Sequence, residues 1–84
     1  MKLIYIEWED AHARSGWHTE EEMESYHSGE RAIVKEIGWV YKENPQYLTL
    51  YSRVIDWKEY NDTQYGLLQK IPKTWIRKRK TIKL

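Results

Sequence analysis

The sequence predicts a mainly β domain of five strands, with one short helix in the loop after the first strand. Three observations carry this. Apolar residues alternate over most of the chain with a period of two, the only helix-start signal sits between residues 19 and 22, and no repeat, linker or low-complexity tract divides the 84 residues. A chain of this length buries only roughly 60 to 65% of its unfolded surface, so residues 1–84 read as one domain with one core.

The first strand is Lys2 to Trp8, with Ile4, Ile6 and Trp8 on one face and Leu3 and Tyr5 on the other. A polar loop from Glu9 to His18 follows, turning at Ser15-Gly16. Thr19 and Glu22 then form a capping box, in which each side chain satisfies a backbone N–H at a helix start. Acids in the first turn suit the helix dipole, and Gly29 stops a helix of about two turns near His27. Arg31 to Glu43 is a long strand. Ile33, Ile37, Trp39 and Tyr41 share one parity, Val34 and Val40 the other, and Gly38 is placed to bend or bulge the strand so that it serves two faces. Glu43-Asn44-Pro45-Gln46 is a hairpin turn into Tyr47 to Ile55. Asp56 to Gln64 reads as a loop or distorted hairpin exposing Trp57 and Tyr60. A short strand from Tyr65 to Ile71 leads into a 3₁₀ turn at Pro72-Lys73-Thr74-Trp75, and Ile76 to Leu84 is the last strand.

This order resembles the SH3-like small barrel. The carrying run is Ile71-Pro72-Lys73-Thr74-Trp75-Ile76, similar to the segment in which SH3 domains pass from their fourth strand through a 3₁₀ turn into the fifth. An Sm-like or OB barrel fits the same order. The first strand, Tyr5-Ile6-Glu7-Trp8-Glu9-Asp10-Ala11, departs from the peptide-binding SH3 pattern, and only Trp39 stands near the place of its Trp pair, which argues against proline-rich ligands. The layout Trp8-Glu9-Asp10-Ala11, Gly16-Trp17, Ile37-Gly38-Trp39-Val40 and Ile71-Pro72 to Ile76 also resembles small proteins of tailed phages and prophages. That resemblance implies a host-cell cytoplasmic setting and an anti-defence role, in which an oligomeric sponge sequesters a nucleotide immune signal.

Charge is segregated although the net charge is only +1. Residues 7 to 30 hold eight acids (Glu7, Glu9, Asp10, Glu20, Glu21, Glu22, Glu24, Glu30) against Arg14 alone. Residues 70 to 84 hold seven bases (Lys70, Lys73, Arg77, Lys78, Arg79, Lys80, Lys83) and no acid. Such a pattern neutralises itself, within a chain or between copies, or receives an anion. There is no cysteine, which removes disulfides and leaves self-association as the expected supplement to a small core. No apolar run approaches the ~20 residues of a membrane span, and the N-terminus does not read as a secretory signal, so a cytoplasmic protein is expected.

Nothing here has the form of a catalytic motif: there is no G-x-S-x-G, Cys nucleophile, H-E-x-x-H or phosphate-cradling glycine loop. A non-enzymatic binder without cofactor is therefore expected. His12, His18 and His27, with Asp10 and Glu22, match no common metal spacing. Glu20-Glu21-Glu22 with Glu24 reads as a solvated helix face, with Trp17 packing the helix start against the body. Five Trp and seven Tyr without a single Phe point the other way. Tyr and Trp favour places where one end of the ring is buried and the other meets a partner or water.

A nucleotide needs a ring face for its base and cations for its phosphate. Trp17, Trp39, Tyr41, Trp57 and Tyr60 are candidates for the first, and Arg14, Arg53, Arg77 and Arg79 for the second. Strand alternation is expected to put Arg77 and Arg79 on one side, enough for a small phosphorylated ligand of the cyclic-nucleotide or ADP-ribose type. Two rival readings remain: a protein-interaction module or inhibitor docking on a host protein through its acidic loop and helix, and a single-stranded nucleic-acid binder.

Overall fold

A computed structural model describes residues 2–84. The strands are β1 (Leu3–Asp10), β2 (Ala32–Glu43), β3 (Tyr47–Tyr51), β4 (Arg53–Trp57), β5 (Asp62–Gly66), β6 (Gln69–Pro72) and β7 (Ile76–Ile82). Helix α1 (Glu20–His27) lies between β1 and β2, and 3₁₀ turns cover Lys58–Tyr60 and Lys73–Trp75. Five strands form one antiparallel sheet in the order β6-β3-β2-β1-β7, and β4 and β5 form a separate two-stranded ribbon. The protein is thus mainly β with one α-helix. β6 and β7 are the two edges of the sheet, and no ladder between them closes it into a barrel.

Alternation in β1 builds the core as expected. Ile4, Ile6 and Trp8 point inward and meet Leu48 and Leu50 of β3 and Ile71 of β6, with Val34, Val40 and Ile76 packed against them. Burying each large apolar side chain contributes about 1.5–3 kcal/mol, so a core this small depends on every member. The Trp8 indole N–H donates to Glu36 Oε1 at 3.0 Å, which satisfies its polar edge.

The long strand β2 serves both halves of the sheet. Residues 32–39 pair with β1 and residues 39–43 with β3, the handover falling at Trp39. Gly38 sits at that point for want of space: an added Cβ would lie 3.1 Å from the Tyr51 carbonyl oxygen and 3.3 Å from Leu50 Cβ. The bulge lies three residues later, at Tyr41, where the register slips between Val40 and Lys42.

Two strands are divided where the sequence was read as continuous. The strand read as Tyr47 to Ile55 breaks at Ser52, and residues 53–57 leave the sheet to pair with residues 62–66. The strand read as Tyr65 to Ile71 is divided likewise. Tyr65 and Gly66 end the ribbon, Leu67 takes a left-handed conformation (φ 53°), and β6 begins at Gln69. The segment 56–64, read as a loop or distorted hairpin, is the hairpin that forms the ribbon's far end, turned by the 3₁₀ segment and by Asn61 at φ 51°.

Helix α1 starts as its capping signal implies, with Thr19 Oγ1 accepting the Glu22 N–H at 3.2 Å. The reciprocal half is different. The Glu22 carboxylate faces His18 Nδ1 at 3.3 Å, while His18 Nε2 lies 3.1 Å from the Ser15 carbonyl oxygen. No residue of α1 is buried, and Trp17 does not pack the helix start against the body: it stands fully in solvent. The molecule is accordingly long, 60 × 27 × 23 Å, with a radius of gyration of 17.6 Å, where a compact chain of this length has about 12 Å.

Candidate functional site

Inward pairing of Leu48 and Leu50 obliges Tyr47, Thr49 and Tyr51 to face outward. The same geometry turns Trp39 and Tyr41 of β2 and Lys70 of β6 to that outer side. Trp39 stacks on Tyr51, with centroids 5.7 Å apart and planes at 27°, and Tyr51 meets the edge of Tyr65 at 4.8 Å and 71°. The base of the ribbon is thereby held against the sheet. Between them lies an open groove of about 600 Å³, lined by Tyr41, Thr49, Tyr51, Thr63, Tyr65 and Leu68, with Gln64 at its side.

A second hollow of about 260 Å³ shares Tyr41 and Thr49 with the groove and adds Tyr47, Lys42, Lys70, Asn44 and the carboxylate Glu43. Lys70 Nζ lies 4.4 Å from the Tyr47 ring centroid, and Lys42 Nζ 5.9 Å from that of Tyr41. Ring faces and ammonium groups therefore alternate along one stretch of sheet. Burial and the neighbouring Tyr65 push the Tyr51 phenol up from its ordinary value.

The nine residues expected from sequence to bind a ligand do not converge. Tyr41 lines the groove, and Trp39 supports it from beneath through Tyr51. Trp57 and Tyr60 meet edge to face, 6.2 Å apart, at the far end of the ribbon. Arg53, on β4 opposite Gly66, packs its stem over that glycine. Arg14 and Trp17 belong to the segment around α1, where Arg14, His18, Glu22, Met23 and Tyr26 surround a shallow hollow.

The two arginines of β7 are separated. Lys78 pairs with Glu7 and Ile76 with Trp8, so Arg77 is an extra residue in the strand and alternation is lost there. Arg77 donates to Glu9 Oε1 at 3.2 Å and to the Thr74 carbonyl oxygen at 2.6 Å, whereas Arg79 donates to Glu43 Oε2 at 2.8 Å from the opposite face. Lys73 Nζ approaches the same Glu43 oxygen at 3.8 Å. Glu43 thus links β7 and the second 3₁₀ turn to the end of β2. The Arg79 hydrogen bond holds the Glu43 carboxyl below its ordinary range.

Sequence reasoning missed Tyr47, Tyr51, Tyr65, Lys42 and Lys70. Their signal was present in the Tyr47-Thr49-Tyr51 alternation, but identifying the buried parity required knowing which strands flank β3. Among the described residues, no group of three or more His, Cys, Asp or Glu is close enough to hold a metal, and no helix is long and apolar enough to cross a membrane. Comparison with known proteins finds no matching family model, no similar curated protein and no similar solved structure.

Proposed function

We propose that the protein is a non-enzymatic binder of a nucleotide-type ligand, held on the outer face of β2, β3 and β6. The observation that carries this reading is the shared wall of the two hollows: Tyr41 and Thr49 join a ring-lined groove to one edged by Lys42 and Lys70, where the one carboxylate, Glu43, is already paired with Arg79 and Lys73. The groove's volume falls within the ~300–1,000 Å³ common to small-ligand sites. A base stacks against Tyr41 and Tyr65, with Thr49, Thr63 and Gln64 offering hydrogen bonds to its edge. The phosphate lies toward the two lysines. This differs from the sequence expectation in its cations, since Arg77 and Arg79 are already committed to carboxylates of the same chain.

The strand order β6-β3-β2-β1-β7, with a 3₁₀ turn joining its two edge strands, supports the SH3-like reading. Holding a phosphorylated signal unchanged would withdraw it from a host effector, the role that the resemblance to phage proteins implies.

Titration calorimetry with cyclic dinucleotides, ADP-ribose derivatives and a single-stranded oligonucleotide tests the assignment. At least one phosphorylated ligand is expected to bind and to be recovered intact after heating. Tyr65→Ala should weaken it about 5- to 150-fold, the loss of one base–ring stack at ~1–3 kcal/mol. Failure of the whole panel, or equal binding by the Tyr65→Ala variant, refutes it. Preference for the oligonucleotide, with a steep salt dependence, would move the assignment to single-stranded nucleic acid.

A further inference from the structure

We infer that α1 and the segment around it form an arm that docks on the outer face of β1, β2 and β7 of a second copy, the two copies exchanging arms reciprocally. The arm has the features of an element made to be covered. No side chain of α1 is buried, Met23 and Tyr26 form an exposed apolar stripe along it, and Trp17 before it is fully exposed. Glu20 and Glu24, one turn apart, run along one side of that stripe, and neither forms an ion pair among the described residues, while Arg14, His18 and Glu22 share a hollow with Met23 and Tyr26.

A complementary surface lies elsewhere on the molecule. Register places Leu3 beside Ile82, Tyr5 between Ile37 and Lys80, and Glu7 between Lys35 and Lys78, all on the side of the sheet away from the core. Among the described residues none covers this face: Ile37 is 54% exposed, Lys35, Lys78 and Lys80 are exposed beside it, and Leu3, Tyr5 and Ile82 are half-buried. Glu7 is occupied by the Tyr5 hydroxyl, which donates to it. An apolar strip bordered by three lysines without an ion pair among the described residues matches an apolar stripe with glutamates along one side.

Charge and area together identify the partner as another copy of this chain. Both complementary faces are on the one sequence, and each is left uncovered in the single chain. A specific interface buries roughly 800 Å² on each partner, more than one eight-residue helix of about 12 Å can supply. Reciprocal exchange counts two arms and two sheet faces, and includes the exposed Trp17 of each copy.

Sedimentation of the full chain should give twice the 10.3 kDa mass. The charge-reversed variants Glu20→Lys/Glu24→Lys and Lys78→Glu/Lys80→Glu should each sediment as monomers. Mixed in equal amounts they should form a heterodimer, because each acidic surface then meets a basic one in both contacts. That recovery also shows that neither variant failed to fold. A wild-type monomer throughout the micromolar range, variants that dimerise as the wild type does, or a mixture that stays monomeric would each overturn the proposal.

Discussion

Single residues hold this fold at two kinds of position, one steric and one electrostatic. At Gly38 the obstacle is main chain, because the Tyr51 carbonyl oxygen is fixed in the β2–β3 ladder and cannot swing aside as a flexible side chain would. Gly38→Ala should therefore cost on the order of 1–3 kcal/mol, as overpacking does, read as a lower urea midpoint with an unchanged slope. Glu43 acts through charge. Its folded pKa is depressed by Arg79, so its contribution to stability is present above the ordinary value of 4.5 and is lost as pH falls through the lower folded value. Glu43→Gln should then narrow the stability difference between pH 7 and pH 3 in paired urea titrations, and 1 M salt should shrink the effect, since the pair is about one-third exposed. An equal acid loss in both proteins would remove Glu43 from that role. The partners of Arg77 and Arg79 were not legible in the sequence, because Glu9 and Glu43 lie 68 and 36 residues away and only the sheet order brings them near.

Elements specified by local pattern were the legible ones. The faces of β1, the capping of α1 and the 3₁₀ turn before β7 each depend on neighbours within a few residues, which pattern and local hydrogen bonding report directly. The ribbon was legible only at its far end, read as a loop or distorted hairpin, and its extent was not, for the opposite reason. Alternation continues from Tyr47 through Ile55, and nothing in it shows that the strand changes partner at Ser52. Every residue of β4 is exposed, so the ribbon contributes little to the core. Replacing residues 54–65 by a two-residue turn should accordingly leave a cooperatively folding five-stranded sheet, seen as a single thermal transition. Ligand binding should be lost with Thr63, Gln64 and Tyr65. Loss of the cooperative transition would show that the Tyr51–Tyr65 contact supports the sheet and is not confined to the groove wall.

At the scale of the whole molecule, length and charge separation have one consequence in common. A compact core with two projections presents far more surface than its size requires, and the acidic and basic segments remain largely apart within one chain: Glu9–Arg77 is the one ion pair among the described residues joining 7–30 to 70–84. Attraction between such segments is screened over about 10 Å at 0.1 M salt and about 3 Å at 1 M. Raising the salt should thus shift the copies toward monomers, while the radius of gyration of the Lys78→Glu/Lys80→Glu monomer should stay near 17.6 Å at either salt concentration. Small-angle scattering across that range separates two ways in which the charges can meet. Exchange between copies makes mass, and apparent size with it, fall with salt in the wild type alone. Folding of the arm onto its own sheet instead predicts a wild-type monomer that is more compact at low salt and expands as the charges are screened, with no change of mass.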